Sequence, residues 1–297
     1  MSKANNLFRP TEYFKPTSVP EVVKLLAQYG EKGSPIAGGT DLLVMKEPQV
    51  EALIDITQLG LSYIKSDAQG IKIGATTTLA DIEASPVLSK SLYSIIAQAA
   101  HQMGTPLVRN LGTIGGNICN ALPSADTMPS LLVLDAIFHV AGPDTKRSIC
   151  AADFCLGVRK NALETGELLT EIELPVLPPR TGTAFIKKGR VAAADLSLAS
   201  VAVRLTMDKD NTCRDVRIAL GAVAPTPLRA KGAEALLSGK EPKDELLKQV
   251  AARASEEIKP ISDIRASAEY RRTLSRVIVE LALREAIGNI TTQNRNT

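Results

Sequence analysis

Residues Leu111 to Asp126 read LGTIGGNICNALPSAD, with Thr113-Ile114-Gly115-Gly116-Asn117 at their centre. β-branched residues lead into two glycines, and small polar residues follow. Adjacent glycines turn where a Cβ would clash and let another group approach the main chain. Successive exposed N–H groups in such a turn form a hollow that accepts anions, phosphate among them. A second stretch of the same kind precedes it: Pro35 to Leu42 reads PIAGGTDL, a short apolar strand ending in Gly38-Gly39-Thr40. Two such loops can clasp the two phosphates of one pyrophosphate. Taken singly, each is an ordinary tight turn. Neither fits the G-x-G-x-x-G fingerprint or the P-loop with its Gly-Lys-Ser/Thr ending, so those folds are not indicated.

Together these motifs resemble the FAD-binding subunit of the molybdenum hydroxylases, the xanthine dehydrogenase and carbon monoxide dehydrogenase family. AGGTDL at 37–42, RNLGTIGGNICNALPSAD at 109–126 and ELLTEIELP at 167–175 carry the resemblance, which runs over nearly the whole chain. It implies an α+β architecture: a two-part N-terminal α/β FAD-binding domain of the PCMH type, then a smaller C-terminal domain. The expected bounds are 1–177 (parts 1–58 and 59–177), 178–290, and a tail at 291–297.

Composition sets the frame. The 297 residues are 44% hydrophobic and 23% charged, with a net charge of +3. That is a core-forming globular chain, with too little charge excess to argue for nucleic acid or an anionic membrane. No apolar run reaches the ~18 residues of a membrane span. The first residues, MSKANNLFRPTEYFKP, lack the apolar core of a signal peptide, which predicts a cytoplasmic protein. Cys119, Cys150, Cys155 and Cys213 form no C-x-x-C pair, and His101 and His139 lie far from them in sequence. This argues against a zinc site or an iron–sulfur cluster in this chain and predicts free thiols.

Local patterns predict the elements. Ser18-Val19-Pro20-Glu21 reads as a capping box, followed by an amphipathic helix with Val22, Leu25, Leu26 and Tyr29 on one face. Strands are expected at 35–37, 53–56, 71–75, 108–114, 137–141, 147–150 and 168–174, the last with Glu171 and Glu173 on one face. Leu42–Met45 reads as a short helix or strand. Thr78 caps a short helix, a longer helix runs from Ser85 to Met103, and a helix begins at Thr127. The prolines of PVLPP at 175–179 mark the domain boundary. Beyond it, strands at 183–187, 197–207 and 214–223 predict a three-stranded antiparallel sheet. Helices at 231–237, 242–258 and 268–287 cover it. In the last, Tyr270, Leu274, Val277, Ile278 and Leu281 form a core stripe and Arg276 pairs with Glu280. Residues 289–297 are a polar tail.

The resemblance also assigns the site. FAD would lie between the N-terminal units and the C-terminal part. Pro35, Ile36, Ala37, Gly38, Gly39, Thr40, Asp41 and Leu42 form one wall, and Thr113, Ile114, Gly115, Gly116 and Asn117 another. Both loops present backbone N–H groups to the pyrophosphate, with Thr40, Thr113 and Asn117 adding short side-chain donors. Asn117 reads equally as a loop-stabilising amide. Asp126 accepts hydroxyl hydrogen bonds from sugar or ribityl groups, or else caps the helix at Thr127. Leu169 packs on the flavin. Lys187 contacts it and favours the anionic reduced form, although neighbouring Lys188 leaves the register open by one. Arg109 is an interdomain bridge or a cofactor contact, Met103 stands where some relatives place an adenine-stacking aromatic, and His101 is a polar cap.

No nucleophile–base pair appears, which suits a subunit whose flavin does the redox chemistry. The resemblance implies a large molybdopterin subunit and a small subunit with two [2Fe–2S] clusters as partners. Electrons would pass from the clusters through non-covalent FAD to NAD+ or another acceptor, with xanthine or a related purine as the complex's substrate. A free-standing FAD oxidoreductase is the second reading. It needs a base over the flavin, and no His or Tyr stands beside the loops. A non-catalytic nucleotide-binding module is the third.

Overall fold

A computed structural model describes residues 8–89, 92–191 and 194–293. The first unit is β1 (Glu12–Phe14), α1 (Val19–Tyr29), β2 (Gly33–Ile36), α2 (Leu42–Met45) and β3 (Ala52–Asp55). β3 lies between β1 and β2, parallel to both. A parallel sheet needs a helix over its face; α1 supplies it, with Val22, Val23 and Leu26 packed on Ile54 and Ile56. Ser18 makes no side-chain cap. Instead Glu21 accepts the N–H of Thr17 at 3.2 Å, so half of the capping box forms, one residue early. Gly30 ends α1 in the left-handed region, at φ 55°.

The second unit begins with β4 (Ile64–Asp67) and β5 (Gly70–Gly74). Six helices follow: α3 (Leu79–Ala84), α4 (Pro86–Ser89), α5 (Ser94–His101), α6 (Pro106–Leu111), α7 (Ile114–Cys119) and α8 (Thr127–Val133). Then come β6 (Ile137–Ala141), β7 (Lys146–Cys150), α9 (Ala151–Phe154), the short pair β8 (Cys155–Gly157) and β9 (Lys160–Asn161), and β10 (Leu168–Pro175). The main sheet is antiparallel throughout, ordered β4-β5-β10-β6-β7. Its inward residues Ile73, Phe138 and Ile172 pack on α5 and α8 in one large core.

Two expectations fail here. Residues 108–114 form no strand but the end of α6 and the start of α7. Pro106 occupies the first turn of α6, and the Thr105 side chain accepts the N–H of Val108 at 3.3 Å, a start signal stronger than the β-branched run. The long helix from 85 to 103 is two helices, with residues 90–91 between them outside the described part.

The third unit is β11 (Thr181–Lys188), β12 (Ala199–Met207), β13 (Cys213–Gly221), β14 (Leu228–Arg229), α10 (Lys231–Leu237), α11 (Asp244–Glu256) and α12 (Ala268–Gln293). Its sheet is antiparallel in sequence order and has four strands, β14 adding a short edge to the three expected. Every residue of β12 is buried because both faces are covered. Val201, Val203 and Leu205 join the core with α11 and α12, whereas Ala202, with Ala219 of β13, joins the core of the second unit. Strand alternation thus divides one sheet between two cores, and small residues face the unit that must approach closely.

On α12 the core face is Ile278, Val279, Ala282, Leu283 and Ala286, while Tyr270, Val277 and Leu281 of the expected stripe are exposed. Glu280 pairs with Arg284 at 2.9 Å, not with Arg276. The helix continues through the expected tail to Gln293; residues 294–297 lie outside the described part.

Candidate functional site

A cavity of about 790 Å³ opens where the three units meet. Pro35, Ile36, Ala37, Gly38, Gly39, Thr40, Asp41 and Leu42 line it, and so do Thr113, Gly115, Gly116, Asn117, Asp126, Leu169 and Lys187. Of the expected residues only Ile114 stays out: its side chain is fully buried in the core beneath α7. The two Gly-Gly loops therefore belong to one hollow.

They are not equivalent. In the second loop the N–H of Ile114 donates to Thr77 O (3.0 Å), that of Gly115 to Ala75 O (2.9 Å) and that of Asn117 to Thr113 O (3.0 Å). The N–H of Gly116 is taken by Thr113 Oγ1 at 3.1 Å, because Thr113 is the N-cap of α7. In the first loop, among the described residues, the N–H groups of residues 37–41 have no protein acceptor. A run of open N–H groups can accept an anion; of the two loops, among the described residues, Ala37–Asp41 carries such a run. The expectation that 114–117 also offers backbone donors is corrected. Its glycines serve contact instead: a Cβ on Gly115 would lie 2.6 Å from Ala75 O.

Asn117 accepts from Thr127 Oγ1 at 2.6 Å, which ties α7 to the first residue of α8 and leaves the amide nitrogen for the cavity. Asp126 precedes α8 but makes no side-chain cap. Its Oδ2 receives Lys187 Nζ at 2.7 Å, and its Oδ1 receives the Ser197 hydroxyl. Lys187 Nζ also donates to Gln102 O at 2.8 Å. Both partners of the ion pair are buried, with side chains 7% and 5% exposed. Burial pushes the Asp126 carboxyl above the usual carboxylate range, and Lys187 and Ser197 oppose that shift. Strand parity puts Lys187, and not Lys188, in the cavity wall. Thr183, Phe185 and Lys187 of β11 face the second unit, where Thr183 bonds Leu92 O, and Lys188 faces solvent.

Leu169 is buried in the cavity wall although Glu171 and Glu173 face outward. Strict alternation would put all three on one face. The pairing of β10 with β6 slips between Leu169 and Glu171, and this bulge re-aims Leu169. The two glutamates meet His139 outside: Nε2 lies 2.8 Å from Glu173 and 3.9 Å from Glu171. Tyr63, its phenol pushed up to about 12 by burial and Glu171, donates to Glu171 at 2.6 Å. Among the described residues this is the only group of three side chains arranged to share an ion. Each already has a partner, and none lines the cavity.

Met103 lines the cavity; Arg109 and His101 do not. Arg109 bonds Glu83 (2.7 Å) and Met103 O (3.1 Å), and His101 bonds Glu83 (2.7 Å), so both brace α3 within the second unit. Sequence reading missed Arg159, Asn161, Leu163 and Leu196, which also line the wall. Arg159 pairs with Glu47, closing the β8–β9 turn over the first unit. No motif marks these residues. Cys119 lines the wall as well, its thiol raised to about 12 by burial and by nearby Cys155. The four cysteines are free.

A hollow with open donors at one end and a buried ion pair in its wall, formed where three units meet, suits a phosphate-bearing cofactor. Residues 8–177 match the family described as the FAD binding domain in molybdopterin dehydrogenase, and residues 184–286 the CO dehydrogenase flavoprotein C-terminal domain. Glyceraldehyde dehydrogenase medium chain from Sulfolobus acidocaldarius is 36% identical over 277 residues, 92% of this chain and 97% of that one. A putative xanthine dehydrogenase FAD-binding subunit from Escherichia coli is 28% identical over 289 residues, 95% of this chain and 97% of that one. A solved structure of carbon monoxide dehydrogenase from Hydrogenophaga pseudoflava, lacking the Mo-pyranopterin moiety of its cofactor, superposes with a TM-score of 0.90 at 36% identity, covering 95% of this chain and 98% of that one. This chain belongs to the FAD-binding subunits of the molybdenum hydroxylase family, and is an oxidoreductase flavoprotein. No described helix is long and apolar enough to cross a membrane.

Proposed function

We propose that the chain holds FAD non-covalently in this cavity and relays electrons from [2Fe–2S] clusters of a small partner subunit to NAD+ or another acceptor. Substrate is hydroxylated on a large molybdopterin subunit, and the three chains work as one cytoplasmic complex. The observation that carries the reading is the open donor run of Ala37–Asp41 in a hollow of about 790 Å³, a size typical of cofactor sites. A diphosphate is well held by neutral dipoles in a glycine loop. Bound FAD would supply the redox chemistry. The chain's own residues position it: residues 37–41 donate to the diphosphate, Asn117 and Thr113 offer side chains beside it, Leu169 and Met103 form apolar wall, and Lys187 donates from the opposite side. Asp126, already engaged by two side chains, serves chiefly to hold Lys187.

Among the described residues, no His or Tyr lines the cavity. This supports a relay over a free-standing oxidoreductase with its own base. The relatives carry names for glyceraldehyde, carbon monoxide and xanthine dehydrogenases. One flavin subunit design thus accompanies several substrates, and the purine expectation gains no preference from this chain. The test is to purify the intact complex and precipitate it with acid. Flavin released into the supernatant, and NADH formed by the native complex with substrate, support the reading. A colourless complex would overturn it.

A further inference from the structure

Lys187 carries three N–H donors. Two are spent, on Gln102 O and Asp126 Oδ2, and the side chain lines the cavity. One donor remains. Its direction depends on where Asp126 holds the ammonium, and Asp126 is itself held at Oδ1 by Ser197. We propose that Ser197 is a positioning residue of the flavin site: it fixes Asp126 so that Lys187 keeps one N–H aimed at the flavin. The proposal rests on the FAD reading above.

Ser197 is placed firmly enough for this task. It is fully buried in the segment between β11 and β12. The next residue, Leu198, donates its N–H to Lys188 O at 2.8 Å, and its carbonyl accepts Arg271 Nη1 at 2.6 Å. Arg271 is buried on α12. A continuous set of contacts thus runs from α12 through Leu198 and Ser197 to Asp126 and Lys187, joining the third unit to the cavity wall. The ion pair is neutral overall, so its effect on a bound flavin comes through the one directed donor more than through net charge. Without the Ser197 hydroxyl, Oδ1 of Asp126 needs another donor in a buried place. The donor at hand is Ser200, whose buried hydroxyl has no partner among the described residues and which also acts on the Asp126 carboxyl; the carboxylate turns toward it and draws Lys187, with its third N–H, away from the cavity.

The experiment measures the two-electron midpoint potential of FAD in the full chain. Ser197→Ala lowers the potential by about 30 mV, a roughly tenfold loss in preference for reduced over oxidised flavin, as expected for one charge-assisted hydrogen bond. Ser197→Thr, which keeps the hydroxyl, restores the potential. Lys187→Met lowers it at least as far. If Ser197→Ala loses the flavin, Ser197→Cys is read instead; its weaker donor gives a smaller shift in the same direction. A potential unchanged in Ser197→Ala or Ser197→Cys, or unchanged in Lys187→Met, overturns the assignment. A wild-type chain that never retains flavin defeats the FAD reading, which is a different result.

Discussion

A Cβ placed on Gly38 would lie 1.8 Å from the carbonyl oxygen of Leu111. The first Gly-Gly loop therefore presses its backbone on the residue that leads into the second. This contact brings two motifs far apart in sequence into one hollow, and only glycine permits it. Gly38→Ala must push the loops apart. We expect a loss of roughly 1–3 kcal/mol in stability, the usual cost of overpacking, and at least a tenfold fall in retained FAD. Absorbance near ~450 nm per chain, read beside a thermal melt, checks both, flavin being the chromophore. Gly116→Ala meets only Thr113 Oγ1, at 3.1 Å, and is the milder change.

Asp135 anchors the other side of the seam. It follows α8 with φ 52° and receives Arg204 at 2.9 Å, Arg217 at 3.3 Å and Arg229 at 3.6 Å from the third unit. Arg204 is buried and keeps Asp215 at 2.6 Å, so losing Asp135 leaves it half paired. Asp135→Asn retains a residue tolerant of the left-handed backbone and removes only the charge. Because Asp135 is partly exposed, about 1 kcal/mol is expected, seen as a lower urea midpoint with an unchanged slope.

Asp263 predicts the acid limb of the stability curve. Hydrogen bonds from Arg265, then the backbone N–H groups of Arg265 and Ala266, and Arg271 hold its carboxyl well below the usual range. A folded-state value below the unfolded one stabilises the protein above the unfolded pKa, near ~4. That contribution is lost as pH falls toward the folded value. Asp263→Asn should flatten the fall of the melting temperature between about pH 5 and pH 3. An identical slope in the variant would refute the assignment.

Thr127 is fully buried and gives its hydroxyl to Asn117. Thr127→Val keeps the shape and strands the amide oxygen. The expected cost is about 1–3 kcal/mol, together with weaker FAD binding by titration, since Asn117 is then free to turn. Unchanged affinity and stability would mean that Asn117 needs no tether.

The sequence marked two loops that line one cavity, for a reason internal to them. AGGTDL and TIGGN carry backbone permissiveness in adjacent glycines, and that property is visible in any context. The Thr78 cap, the helix at 231–237 and the strand at 137–141 were legible likewise, from spacing over a few residues. Residues 108–114 were misread because a β-branched run outweighed Thr105-Pro106. Of the stripe expected on α12, Leu274 and Ile278 pack on the core, whereas Tyr270, Val277 and Leu281 are apolar yet exposed.

By itself the sequence determined which segments turn tightly, which alternate, and that the chain carries the motifs of a flavin-binding subunit, because each of these rests on neighbours a few positions apart. Tertiary structure alone decided which N–H groups stay open at 37–41, that a bulge turns Leu169 inward, and that Lys187 rather than Lys188 is buried. The physical reason is distance along the chain. Lys187 meets Asp126 across 61 positions and Ser197 meets it across 71, so the role of each side chain exists only once the cores have packed and desolvated the pair.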